Sequence, residues 1–286
     1  MSKVLSVSIA TLLVVQSAGA QDRRPRGRRP GGMESTTQQK DAREKAIAAL
    51  EPCDVLGIWA HPDDETFASG TFAKLSAKGK RVLLVYATSG DAGRDRTDRG
   101  LSREALGQQR ELEMRNAAKA IELPTEPLFL RYPDGKVYDY WGEVLANVRS
   151  IIEKTTPSVV VTFGPDGYYG HADHIAIGQI AGRAFDDSGT PSHLLHVALS
   201  RSTNNIIVSA GGGNRFKPVA DKFITYKVDI KGHVNNRVGA MQSHKTQFDE
   251  RTVAQMRQLL ALTRQEEFVE VRHPGEAGLL SELFSE

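Results

Sequence analysis

Four apolar runs, each followed by a helix-length amphipathic segment, constrain this chain more than any other feature. VLGIWA (55–60), RVLLVYATSG (81–90), PLFLRYPDG (127–135) and SVVVTFGPDG (158–167) read as strands. DETFASGTFAKLSAKG (64–79) is closed by Gly79, and LSREALGQQRELEMRNAAKAIEL (101–123) has Ser102 as its cap. WGEVLANVRSIIEKT (141–155) and ADHIAIGQIAGRAFDD (172–187) complete the alternation, and a short helix is predicted over 41–51. Strands that are apolar throughout and alternate with helices are buried on both faces. The pattern therefore predicts an α/β fold with a parallel sheet covered on both sides.

The C-terminal third is less regular. HLLHVALS (193–200), NIIVSA (205–210), KFITYKVDI (222–230) and EEFVEVRHP (266–274) read as strands, and 231–247 and 252–265 as helices. No repeat and no second domain is evident.

Open α/β sheets bind ligands at the carboxyl ends of their strands. Directly after the first strand, GIWAHPDDETFASG (57–70) packs His61, Asp63, Asp64 and Glu65 into five positions. Like charges this close repel and raise one another's pKa. A bound cation turns that repulsion into coordination. After the fourth strand, GPDGYYGHADH (164–174) supplies His171, Asp173 and His174. If those two strands are neighbours, the clusters face each other.

AHPDDE (60–65) together with GHADH (170–174) resembles the LmbE/PIG-L family of metal-dependent N-deacetylases. That family includes the deacetylases of N-acetylglucosaminyl-phosphatidylinositol and of mycothiol and bacillithiol biosynthesis. The resemblance spans roughly residues 53–250, with TSGDAG (88–93), Arg110–Glu111, RYPDG (131–135) and SHKTQ (243–247) in comparable places. It implies a Rossmann-like three-layer fold with a mainly parallel sheet. His61, Asp64 and His174 would be the metal ligands, leaving an open position as a catalytic zinc site needs. Zinc is the expected metal, although such a donor set also accepts Fe2+, Co2+ or Mn2+. Asp63 would be the general base that takes a proton from the attacking water, although both aspartates could reach a metal. His171 would be protonated, stabilise the oxyanion and supply the leaving amine. Asp173 would orient a histidine. Arg110 would bind substrate, or else pair on the helix surface with Glu111 or Glu113. Asp134 would hold a sugar hydroxyl, or else serve the turn. Tyr169 would reach the oxyanion, or else pack as a gating aromatic. His244 would line the pocket or its rim.

Amide hydrolysis requires this set: a polarised carbonyl, a proton acceptor and a proton donor. The chain has no nucleophile-elbow motif, and its lone Cys53 precedes the first strand, so no covalent nucleophile presents itself. Gly211–Gly213 lacks the lysine and strand-to-helix setting of a phosphate loop and reads as a flexible loop.

MSKVLSVSIATLLVVQSAGA (1–20) has a basic start, an apolar run and a small-residue cleavage site, the pattern of a secretory signal peptide. Residues 21–40 form an Arg/Pro/Gly-rich segment expected to be disordered. Its stretch 21–32 holds five arginines and one aspartate, a net +4. With that charge and Lys3 set apart, the formal +2 of the 286-residue chain becomes −3. The basic charge therefore sits in a tail suited to weak contact with anionic envelope surfaces. Nothing suggests nucleic-acid recognition, and no later stretch could span a bilayer. With 40% hydrophobic residues, 41–286 can form one domain.

The expected function is an exported, periplasmic or extracellular hydrolase that removes the N-acetyl group from an N-acetylglucosamine-type sugar or glycoconjugate. The alternatives are an amidase of another sugar conjugate and a metal-dependent carbohydrate-binding envelope protein without turnover.

Overall fold

The computed structural model describes residues 37–189, 193–213, 215–272, 280 and 284. The predicted signal peptide and residues 21–36 of the basic segment lie outside them. Helix α1 (Thr37–Ala48) begins four residues earlier than predicted, inside the segment expected to be disordered. It is anchored by Arg43, which donates to Leu130 O at 3.3 Å and lies over the Tyr132 ring.

The predicted alternation follows. β1 (Val55–Trp59) leads through a 3-10 turn at Asp64–Phe67 into α2 (Ser69–Ala77). Next come β2 (Val82–Thr88), α3 (Arg103–Ala120), β3 (Leu128–Tyr132), α4 (Trp141–Thr155) and β4 (Val159–Phe163). A single distorted turn, α5 (Gly167–Gly170), precedes α6 (Ala172–Ser188) and β5 (His193–Ala198). Then α7 (Arg201–Ser209), β6 (Tyr226–Asp229), α8 (Val234–Ser243), α9 (Glu250–Thr263) and β7 (Gln265–Arg272) close the chain.

The strand order is β3-β2-β1-β4-β5-β7-β6. The first five strands run parallel, whereas β7 pairs antiparallel with both β5 and β6. The chain moves outward from β1 to β2 and β3, then returns to place β4 on the other side of β1, in register Val55↔Val159. The β1/β4 boundary is thus the topological switch point, and both histidine clusters leave the sheet there. Helices α1, α4 and α6 cover one face, and α2, α3, α8 and α9 the other, giving the three-layer Rossmann-like arrangement. β1, β2 and β4 are buried at every position, which is why they read as unbroken apolar runs.

Two expectations fail in the C-terminal third. NIIVSA is not a strand but the second half of α7. Ser200 caps that helix by accepting from Thr203 N, and Ile206 is 46% exposed. A six-residue apolar run carries no period long enough to separate strand from helix. The strand predicted over 222–230 is shortened to β6 by a 3-10 turn at Asp221–Phe223.

Candidate functional site

The site opens where β1 and β4 end. Phe163, the last residue of β4, stacks on His174 with ring centroids 4.0 Å apart. α6 crosses that strand end closely: a Cβ at Gly178 would come within 2.5 Å of Phe163 O. The close approach brings the first turn of α6, and His174 with it, over His61.

His61 Nδ1 and His174 Nε2 lie 3.3 Å apart. Asp64 Oδ1 is 3.1 Å from His174 Nε2, and Asp64 Oδ2 is 3.6 Å from His61 Nδ1. Ligands about 2.0–2.1 Å from a tetrahedral ion are about 3.3 Å from one another. The three predicted metal ligands thus stand at coordination spacing. The outer nitrogens are already engaged: His174 Nδ1 lies 3.3 Å from Gly167 O, and His61 Nε2 faces the carboxylates of Asp134 at 3.0 Å and Asp173 at 3.3 Å. Those contacts place the ring protons outside and turn two lone pairs and a carboxylate inward. A divalent cation fits that donor set. Burial disfavours a charged His61, but bonds to Asp134, Asp173 and Asp64 outweigh it and raise its pKa well above the usual value, so the surroundings favour positive charge here and a bound cation would displace a proton from this ring. Asp64 is held ionised; burial opposes this, but His174 and His61 prevail. Asp64 Oδ2 also accepts from the Ala60 and His61 amides at 3.1 and 2.8 Å.

Asp173 lies against His61. Besides bonding His61, it accepts from Gly135 N at 2.7 Å and Val137 N at 3.2 Å. It therefore ties the loop after β3 to the histidine. Asp134 is engaged on two sides. It is 9% exposed, and its oxygens are taken by His61 and by Ala92 N at 2.8 Å. It holds the ligand ring and the 88–93 loop rather than standing free for a sugar hydroxyl.

Asp63 stands beside the donors with 20% of its side chain exposed. Its φ of 115° is a costly conformation for a residue with a Cβ, of order 1–3 kcal/mol, and such strain gathers at working sites. Burial pushes its carboxyl up to about 6 against the pull of Arg110. Arg110 Nη2 lies 3.1 Å from Asp63 Oδ2 and also donates to Pro62 O, while Nη1 donates to Gly90 O at 2.9 Å. At 3% exposure, Arg110 makes neither of the surface pairs left open by the sequence. It is a clamp on the Asp63 loop. Gly90 accommodates it: φ is +66°, and a Cβ there would lie 2.4 Å from the guanidinium.

His171 stands at the start of α6. Its Nδ1 accepts from Asp173 N at 3.2 Å, capping α6, so that nitrogen is unprotonated and Nε2 carries the hydrogen. Burial, His61 and His174 lower its pKa to about 4. Its ligand atom lies within 4.8 Å of those of His61 and His174, so it belongs to the same cluster. The Tyr169 ring packs 4.9 Å from His174, beneath the Arg215 guanidinium.

Sequence reasoning left Glu65 without a role and put His244 at the rim. Both are fully buried and bond to each other, His244 Nε2 to Glu65 Oε1 at 2.7 Å. Glu113 was also missed as an anchor: it accepts from Thr246 N and Oγ1, fixing SHKTQ against α3. The third acid of AHPDDE and the histidine of SHKTQ were the available signals.

Residues 56–185 match the family described as PIG-L, GlcNAc-PI de-N-acetylase. That match covers the segment from β1 through most of α6, the part of the chain that holds both histidine clusters. It is 28% identical over 253 residues to a 1D-myo-inositol 2-acetamido-2-deoxy-alpha-D-glucopyranoside deacetylase of Streptomyces scabiei, covering 68% of this chain and 76% of that one. Its fold is similar to that of the N,N'-diacetylchitobiose deacetylase of Pyrococcus horikoshii, with TM-score 0.60 at 20% identity, over 84% of this chain and 94% of that one. It is also similar to GalB, the 4-carboxy-2-hydroxymuconate hydratase of Pseudomonas putida, with TM-score 0.54 at 13% identity, over 80% and 100%. These likenesses bear on the fold alone, so function has to be argued from the site.

Proposed function

We propose that this chain is an exported, metal-dependent N-deacetylase of an N-acetylglucosamine-type sugar or glycoconjugate. The observation that carries this reading is the convergence of His61 Nδ1, Asp64 and His174 Nε2 at 3.1–3.6 Å, with the Asp63 carboxylate on the adjoining residue. A divalent cation held by those three side chains would polarise the amide carbonyl and lower the pKa of water to about 7. Tetrahedral spacing and the two imidazoles favour zinc.

Asp63 takes the proton of the attacking water. Arg110 fixes the direction of that carboxylate, and burial makes it a base suited to neutral pH. His171, neutral and donating through Nε2, is placed to hydrogen-bond the oxygen on which negative charge develops. Tyr169 shapes the same side of the site. The proton that Asp63 accepts equals the one the departing amine requires, so no external acid is needed. Asp173 and Asp134 hold His61 throughout.

Export rests on the first twenty residues, and the basic stretch behind them suits loose attachment to an anionic envelope. Among the described residues, no helix is long and apolar enough to cross a membrane. Cell fractionation with mass measurement of the purified N-terminus tests this. A chain that keeps its first residues in the cytoplasm would remove the exported part of the reading.

The activity is tested by metal content and acetate release from N-acetylglucosamine and its short oligomers, comparing wild type with Asp63→Ala. Metal in both, with acetate from wild type only, supports the deacetylase. Metal without acetate from any sugar overturns it and turns attention to other amides, or to the hydratase chemistry that this fold also carries. Loss of metal in wild type removes the basis of the reading.

A further inference from the structure

Asp63 is gripped at its carboxylate, its carbonyl oxygen and its N–H. Arg110 holds its carboxylate. Thr66 holds its carbonyl oxygen, through Oγ1 at 2.6 Å and N at 3.1 Å. Its own N–H donates to Glu65 Oε2 at 3.1 Å. Glu65 in turn is fixed by two further donors, Tyr86 Oη at 3.1 Å and His244 Nε2 at 2.7 Å. Three donors therefore converge on one fully buried carboxylate. His244 comes from the end of α8, on the far side of the sequence, and its Nδ1 is buried without a partner. Its recorded polar work is directed at Glu65.

A residue with a Cβ does not stay at φ 115° unless its surroundings hold it there. The bond from Glu65 to the Asp63 amide fixes the peptide plane immediately before that strained residue. The direction of the Asp63 carboxylate thus depends on a carboxylate two positions later, and through it on His244. We propose that Glu65 and His244 form a positioning pair that holds Asp63 in its working conformation. The inference rests on the proposed role of Asp63 as base.

The pair is tested in the full chain with Glu65→Gln, His244→Leu and His244→Gln. Glu65→Gln keeps the shape but sets an amide N–H against a donor. His244→Leu removes the donor to Glu65. His244→Gln restores a donor near the position of Nε2. For Glu65→Gln and His244→Leu, kcat falls about 10–100-fold per metal-loaded, folded enzyme, with KM and metal stoichiometry within about twofold of wild type, since a small misdirection of a reacting group costs on that scale. His244→Gln recovers much of the loss. A purely structural role predicts the reverse: a lower melting temperature, with kcat per folded enzyme unchanged for all three. That result overturns the proposal.

A second readout does not depend on turnover. The Asp63 amide exchanges slowly with solvent in wild type. In Glu65→Gln and His244→Leu it exchanges at least about tenfold faster, while β1 amides keep their protection. Unchanged Asp63 exchange overturns the proposal even if kcat falls. If wild type releases no acetate from any substrate, the deacetylase reading fails, and amide exchange alone decides whether the pair positions Asp63.

Discussion

The five parallel strands and the C-terminal segment after β5 divide the work unequally. Every predicted metal ligand, the base and the oxyanion donor come from the ends of β1 and β4. The C-terminal segment contributes none of these, yet it holds the first half in shape over long sequence distances. Glu266 of β7 accepts from the Gly70 and Thr71 amides at 3.0 and 2.7 Å, completing the N-terminus of α2. Within the C-terminal segment itself, Glu267 accepts from Ser200 N, Ser200 Oγ and Thr203 Oγ1 and so ties β7 to α7. His244 reaches Glu65, and Thr246 reaches Glu113. The chemistry is local to one sheet boundary, whereas the rigidity behind it is collected from the whole chain.

Replacing a donor in the first half should give the largest effect. His174→Ala removes one of the three inward donors and leaves two lone sites. Metal content should fall to near zero, and acetate release by several orders of magnitude, while the melting temperature of the metal-free protein changes little. Full metal occupancy in this variant would show that His171 or Asp134 completes the site instead. A smaller loss is expected one step outward. Asp173→Asn keeps the volume but weakens the hold on His61 Nε2, so metal affinity should fall about 10–100-fold in competition with a chelator. If affinity held and only kcat fell, Asp173 would be acting on the reaction and not on the ligand.

The second half should fail differently. Glu266→Ala strips the α2 amides of their acceptor and leaves the Arg237 guanidinium, only 13% exposed, without its partner at 3.1 Å. Breaking a buried pair in this way costs about 3–5 kcal/mol, read as a lower denaturation midpoint. Turnover per folded, metal-loaded molecule should stay near wild type. A loss of kcat with unchanged stability would erase the division between the two regions.

That division also explains what the sequence disclosed. β1, β2 and β4 were legible because burial on both faces leaves unbroken apolar runs, and the sheet order then had to bring the β1 and β4 ends together. The crowding of acids and histidines pointed to a cation, but His61, Asp64 and His174 were singled out as ligands only by the resemblance that AHPDDE and GHADH carry. The supporting partners were not. Glu65 and His244 are 179 positions apart, and no local pattern links an acid at one strand end to a histidine at a helix end. Asp134 and Arg110 were left open between substrate and a structural role because exposure cannot be read from a turn or a helix alone. In the structure, both are buried and spent on His61 and Asp63. NIIVSA failed because three consecutive aliphatic residues fit one exposed helical stretch as easily as a strand.

The smallest effect should come from a contact of the first half that lies on the surface, where position in the sheet confers little. Arg131 reaches Glu111 through two bonds of 2.7 and 2.8 Å, but its own side chain is 60% exposed. Burial of Glu111 favours its protonated form. Bonds from Arg131 and Ser89, with the charges of Arg131 and Arg115, outweigh burial and depress its pKa. A carboxylate with a depressed folded-state pKa stabilises the fold above its unfolded value of about 4.3 and loses that contribution as pH falls through the folded value. Wild type should therefore exceed Arg131→Gln by about 0.5–1 kcal/mol in urea denaturation at pH 7, after discounting for solvent screening. The gap should narrow steadily below about pH 4, as Glu111 takes up its proton. A gap of constant size down to pH 3 would mean that Arg131 acts through packing of its stem on β3, not through its charge. A gap as large as that of Glu266→Ala would show that a surface pair at the sheet edge shares the burden assigned here to the C-terminal segment.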